Sequence, residues 1–280
     1  MEHDTKRITI LVDDRSIDTA LVAEHGFSLW IEGDGVRILF DAGQSDACIH
    51  NAKAWGIDPA RATHLILSHG HYDHTGAVGH LLEHNPAMRV VCHAGVFAPR
   101  YSRQADGVMK PVGLSSESLA TLHAKFDSIH WLCSPQSVSP AIGVTGPVPR
   151  HSPYEDAGGD FFLDPRAARP DEIIDDASLW LHTPEGMIIV TGCCHAGLIN
   201  TVGYIQEITG VNRIRAIIGG FHLLHASPER IEKTIAMLSV LACERIIPCH
   251  CTGDYAIGAM RAKVGACVIP GAAGMSFCFA

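Results

Sequence analysis

The sequence predicts an α/β protein with a sheet-on-sheet core, helices outside, and two similar halves. Three observations carry that expectation. Short β-branched runs ended by turn residues recur through the first half. Strand and helix patterns interleave in the second half. The 280 residues, 47% hydrophobic and only 18% charged, are enough to bury a substantial core.

Runs at 8–12, 28–32, 37–40, 64–67 and 89–92 read as strands, with Gly33-Asp34-Gly35 as a hairpin turn between the second and third. Residues 46–55 have helical spacing and are closed by Gly56 and Pro59. From about 99 to 153 Pro, Ser and Gly are scattered, and only 116–125 suggests a helix. That segment is expected to be an irregular insertion covering the active site, within a single domain spanning 1–280. Strands are expected at 179–182, 187–191, 214–218 and 245–247, with helices at 196–209, 228–241 and 255–263. Ser227 and Pro228 stand in the usual cap and first-turn order.

A net charge of -9 argues against a nucleic-acid scaffold, because sequence-independent phosphate binding needs a basic surface. The polar start leads into a strand-like run too short for a signal segment, and no apolar run approaches spanning length. The expectation is a cytoplasmic protein with a small-molecule substrate, no nucleic-acid or membrane partner, and an open oligomeric state. Ten cysteines in such a chain read as buried thiols, with one or two metal ligands among them, and not as a disulfide framework. Cys193, Cys194, Cys249 and Cys251 are set apart by the histidines beside them.

The chemistry concentrates in Ser68-His69-Gly70-His71-Tyr72-Asp73-His74-Thr75-Gly76, directly after the apolar run Leu65-Ile66-Leu67. In an extended loop, residues 69, 71 and 73 point one way, and 74 follows a turn. His69, His71, Asp73 and His74 can therefore offer imidazole nitrogens and a carboxylate to two metal ions. The preceding strand puts the cluster at a carboxyl end, where α/β sites tend to lie.

The pattern His-x-His-x-Asp-His resembles the signature of the metallo-β-lactamase superfamily. Leu39-Phe40-Asp41-Ala42-Gly43, Thr191-Gly192-Cys193-Cys194-His195-Ala196-Gly197 and Pro248-Cys249-His250-Cys251-Thr252-Gly253 resemble its other motifs. With Ala23-Glu24-His25-Gly26-Phe27-Ser28 and Gly219-Gly220-Phe221-His222-Leu223, the set is similar to one branch. Members of that branch are usually named dihydropterin-ribofuranosylaminobenzene phosphate synthases. The resemblance implies a four-layer αββα sandwich with the metal site at one edge of the sheets. It implies two divalent metal ions, zinc first, with manganese or iron as alternatives. His69, His71 and His195 would hold one ion, and Asp73, His74 and His250 the other, while Asp41 would support the loop without binding metal. One departure stands out. Many members carry a bridging Asp after the strand that here reads Ile188-Ile189-Val190-Thr191-Gly192-Cys193, so the bridge is either absent or a thiolate of Cys193 or Cys194.

The implied reaction is metal-assisted displacement. Asp73 would fix the nucleophile and His222 would protonate the leaving group. His93, Arg150 and His151 are candidate substrate contacts, and Arg100, Arg103 and Lys110 candidate anchors for phosphate. Asp175-Asp176 either orients a ligand histidine or merely begins a strand. A hydrolase of a small phosphate-containing or ester-type substrate is the first expectation. A transferase joining a dihydropterin methyl diphosphate to a ribofuranosylaminobenzene phosphate is the alternative, and a non-catalytic metal-dependent binding protein the third.

Overall fold

A computed structural model describes residues 5–280. The chain divides into two compact units. The first contains the chain up to Cys133, Asp160–Asp171 and Ala272–Ala280, and the second Ser134–Gly159 and Glu172–Gly271.

The first unit is built on a seven-stranded sheet. Its strands run in the order Ser276–Phe279, Lys6–Val12, Ser28–Gly33, Val36–Phe40, His64–Ile66, Arg89–Cys92, His130–Trp131. The first four are antiparallel neighbours; from Val36–Phe40 onward the pairing is parallel. Leu39, Leu65, Val90 and Cys92 from this sheet cluster with Cys48 and Ala52 of helix Ala47–Ala54, Leu81 and Leu82 of Val78–His84, and Leu122 of Ser116–Ala124. Residues on the other face, among them Ile38, Phe40, Ile66 and Val91, are buried too. Double burial explains why these runs are continuously apolar instead of alternating. Asn51 ties the first helix down: its amide donates to the carbonyls of Leu11 and Val22, and its oxygen accepts from Val22 N.

The second unit holds a six-stranded sheet, in the order Arg245–Cys249, Ile214–Gly220, Gly186–Thr191, Ser178–Thr183, Ile142–Val144, Gln136–Ser139. The first three are parallel. Ile189, Ile217 and Ile246 pack with Val202 and Ile205 of helix Leu198–Thr209, Ile231 and Leu238 of Pro228–Leu241, and Met260 of Asp254–Val264. Ser227 Oγ accepts from Arg230 N and Pro228 follows, so the cap stands where the sequence puts it.

The stretch 99–153 is less irregular than its composition suggests. It contains helix Ser116–Ala124, a strand of the first unit's large sheet (His130–Trp131), and two strands of the second unit's sheet (Gln136–Ser139 and Ile142–Val144). Tyr101–Arg103 pairs on one side with Met109–Pro111 and on the other with Phe161–Phe162 in a small separate sheet of the first unit. Strands of two to four residues, rich in Ser and Gly, are too short to show a period of two. Among the described residues, no helix is long and apolar enough to cross a membrane.

His64 yields a test of this packing. The side chain is buried on its strand beside Thr63 Oγ1, and burial, with Arg89 next, pushes its pKa down from 6.5 to about 4. Between those values the unfolded chain binds the extra proton, so stability rises with pH. The contribution is present above 6.5 and lost as pH falls towards about 4. His64→Gln is expected to flatten the acid side of a plot of unfolding free energy against pH, measured by urea titration; an unchanged slope would exclude His64 as its source.

Candidate metal centre

In the first unit, three adjacent parallel strands end at Phe40, Ile66 and Cys92, and the candidate residues follow them. Asp41 stands at the hub. Its Oδ1 accepts from Ser68 N at 2.7 Å, and its Oδ2 accepts from Ser68 Oγ and from His74 Nδ1, each at 2.7 Å. The residue is fully buried with φ 62°, a left-handed conformation rare outside glycine. The backbone closes the loop further. Asp41 N donates to Ile66 O, Ala42 N to His74 O, and Phe27 N to Asp73 O.

These bonds fix tautomers. Ser68 Oγ gives its proton to Asp41, so at 2.9 Å from His69 Nδ1 it can only accept, which places the His69 proton on Nδ1. His74 likewise spends its Nδ1 proton on the Asp41 carboxylate. Both rings therefore keep the Nε2 lone pair for a ligand, the usual arrangement of a metal-binding histidine. His69 Nε2 lies 2.9 Å from His71 Nδ1, and the His69 and His74 ring centroids are 4.3 Å apart. Asp73 Oδ2 lies 3.8 Å from His74 Nε2 and 3.4 Å from Nε2 of His25, an exposed side chain that also reaches Asp14. In the sequence His25 stands only within the motif at 23–28, and its chain distance from Asp73 gives no local signal. Three imidazoles with a carboxylate, two of the rings in tautomers set from behind, fit a divalent ion of the zinc type.

In the second unit three parallel strands again end in register, with Thr191 opposite Gly219 and Gly220 opposite Cys249. The residues that follow are Cys193-Cys194-His195, Phe221-His222 and His250-Cys251. Cys194, His222 and His250 have φ of 62°, 45° and 45°. Such strain in non-glycine residues, of order 1–3 kcal/mol each, gathers at functional sites. Donor atoms of Cys193, His195 and His222 lie within 4.8 Å of one another, as do those of Cys193, His250 and Cys251. Cys194 turns elsewhere: its Sγ lies 3.3 Å from Thr201 Oγ1, and burial pushes its thiol pKa up. Of the two thiols considered for the missing carboxylate, Cys193 is thus the one among the donors.

A loop invisible to sequence reasoning orients these rings. His195 Nδ1 donates to Ala157 O at 2.7 Å, and His222 Nε2 to Gly158 O at 3.1 Å. Gly158 has to be glycine, since a Cβ there would sit 1.9 Å from His222 Cδ2 and φ is +81°. Glu155 anchors the loop by accepting from Ile199 N and Asn200 N at the start of helix Leu198–Thr209. Its pKa is raised by burial, against which those two N–H groups pull. Arg230, itself buried, donates to Asp156 Oδ1. Asp176 accepts from Ala196 N and so props the turn carrying His195; burial pushes its carboxyl up to about 6.

The remaining candidates take other places. His93 is half-buried, and its Nδ1 accepts from Gly95 N, capping a short turn. His151 is exposed and its N–H donates to Asn200 Oδ1. Arg150 donates to the carbonyls of Glu172 and Ile173. Arg100 is buried against Asp171, while Arg103 lies over Phe162 and Lys110 over Tyr72.

The sequence pattern of the metallo-beta-lactamase superfamily matches residues 21–242. The chain belongs to that superfamily. It is 31% identical over 260 residues to the 7,8-dihydropterin-6-methyl-4-(beta-D-ribofuranosyl)-aminobenzene-5'-phosphate synthase of Methanocaldococcus jannaschii, covering 89% of this chain and 87% of the relative. Among solved structures, a metal-dependent hydrolase of the beta-lactamase superfamily is similar at TM-score 0.82 and 30% identity, covering 97% of this chain and 98% of the other. Zinc-bound PqqB from Methylobacterium extorquens, at TM-score 0.55 and 13% identity over 97% of this chain and 99% of that one, shares the fold alone. The expected fold class is therefore borne out, and a superfamily whose members use divalent metals agrees with the donor sets.

Two substitutions probe the supports of these donors. Asp41→Asn keeps a similar volume but cannot accept all three bonds, so zinc affinity is expected to fall about 10–100-fold in a competition titration. Glu155→Ala is expected to weaken zinc by a similar factor, about 10–100-fold. It should also cost about 1 kcal/mol in denaturant unfolding, as a lost helix-terminus acceptor does. Unchanged affinity in either variant would separate that residue from the metal.

Proposed function

We propose that this protein is a metal-dependent enzyme that displaces a group from a small phosphate-containing or ester-type substrate, with hydroxide as the nucleophile. The observation that carries the reading is the loop 69–74, where Asp41 and Ser68 set the tautomers of His69 and His74 and leave both Nε2 lone pairs for a ligand. In this reading His195 and His250 add the further ligands that the family resemblance implies, and the metals number two, zinc in the first instance. A bound divalent ion lowers the pKa of water towards neutrality and polarises a phosphoryl or carbonyl oxygen. Asp73 accepts a hydrogen bond from the attacking nucleophile and so aligns it. His25, touching both Asp73 and Asp14, takes the proton that water gives up on becoming hydroxide and passes it to solvent. His222, oriented by the bond from its Nε2 to Gly158 O, gives a proton to the leaving group and regains one from solvent. A small-molecule substrate and a cytoplasmic location belong to the same reading.

The synthase relative, similar over 89% of the chain, favours a second reading. There the electrophile is the methylene of a dihydropterin methyl diphosphate, the nitrogen of an arylamine ribofuranosyl phosphate attacks, and diphosphate leaves as the amine loses its proton.

His71→Ala with Asp73→Asn is expected to abolish metal retention and turnover together, read by elemental analysis and activity on one sample. A folded double variant with wild-type metal content would reject the site. Turnover of bis(p-nitrophenyl) phosphate, a thioester or a lactam supports the hydrolase. Turnover only of dihydropterin diphosphate with an arylamine supports the transferase.

A further inference from the structure

We propose that Cys193 and Cys251 are both metal ligands, as thiolates, so that the second unit offers a mixed sulfur and imidazole donor set. The inference rests on the metal-dependent reading above and specifies which atoms and which metals that reading involves.

The placement of the sulfurs carries it. Cys193 is common to both donor groups of this unit, one with His195 and His222 and one with His250 and Cys251, each group spanning no more than 4.8 Å between donor atoms. Both thiols are buried, at 2% and 7% exposure, and Cys251 Sγ approaches the Cys193 carbonyl at 3.6 Å. Space for the second sulfur comes from Gly220, where a Cβ would lie 2.6 Å from Cys251 Sγ. The tight turn His250–Thr252 makes the pairing possible. It starts from a His250 with φ 45° and is held by Thr252 Oγ1, which donates to Cys249 O and accepts from Phe221 N. Two successive side chains, an imidazole and a thiol, then serve one cluster. In a plain extended strand they would face opposite ways.

Chemistry supplies the rest. The sequence offers no carboxylate at the end of strand Gly186–Thr191, and two thiolates would neutralise a divalent cation where one carboxylate would leave charge over. Each thiol gives up its proton on ligation, forming a metal–sulfur bond as the S–H bond breaks and the proton leaves to solvent. Thiolate and imidazole together select zinc or iron over manganese, which prefers oxygen ligands.

X-ray absorption at the zinc edge of the full-length wild-type protein tests the assignment without relying on a variant. A sulfur shell at about 2.3 Å beside nitrogen at about 2.0–2.1 Å is expected. Cys251→Ser should lose one sulfur and bind zinc roughly tenfold or more weakly, while Cys194→Ser should keep the full sulfur shell. Bound zinc with only nitrogen and oxygen neighbours would overturn the thiolate assignment and leave the metal-dependent function standing. Failure of the folded wild type to retain any metal would overturn both. Should Cys251→Ser fail to fold, the wild-type spectrum alone decides.

Discussion

The carboxylate of Asp41 is the interaction on which the rest of the first unit's chemistry depends. A buried carboxylate without partners would be neutral or expelled. Here a backbone N–H, a hydroxyl and an imidazole all donate to it, and the three bonds impose order in return. The end of strand Val36–Phe40, the start of the histidine loop and its last ring are locked by one group. Ring tautomers follow from that lock, since each proton given inward leaves a lone pair facing the other way.

The second unit reaches a comparable result by different means. A backbone carbonyl from the 151–159 loop takes the Nδ1 proton of His195, and a neighbouring carbonyl does the same for His222. Backbone acceptors carry no charge, so orientation here depends on how firmly the loop is fastened. Glu155, Asn200 and Arg230 do the fastening, from the start of one helix and the first turn of another. The two helix starts therefore act on the candidate ligands without supplying one.

Much of this was legible in the sequence where the signal is local. The strand before the 69–74 motif and the helix 228–241 with its cap are each written in contiguous residues and appear where expected, while Tyr72–Thr75 within the motif forms a helical turn in place of the expected extended loop. The loop 151–159 was not legible, because its acceptors are main-chain carbonyls, which every residue has. Arg150 and His151 drew attention by side-chain type, yet they bond to carbonyls or face solvent, while their quieter neighbours Glu155 and Ala157 hold the site. His25 and Cys251 depend on pairings across the chain, with Asp73 and Cys193 respectively. The strands at 130–131, 136–139 and 142–144 are too short to leave a pattern in the sequence.

The left-handed residues at the strand ends have an evolutionary corollary. Asp41, His222 and His250 sit in backbone conformations that suit glycine, so at these positions the mutation easiest on the chain is the one that deletes a side chain of the candidate site. Selection for robustness alone would drift towards a sturdier and inert scaffold. A glycine at any of these three positions would ease the backbone and empty the candidate site in the same step, so stability and chemistry pull against each other there.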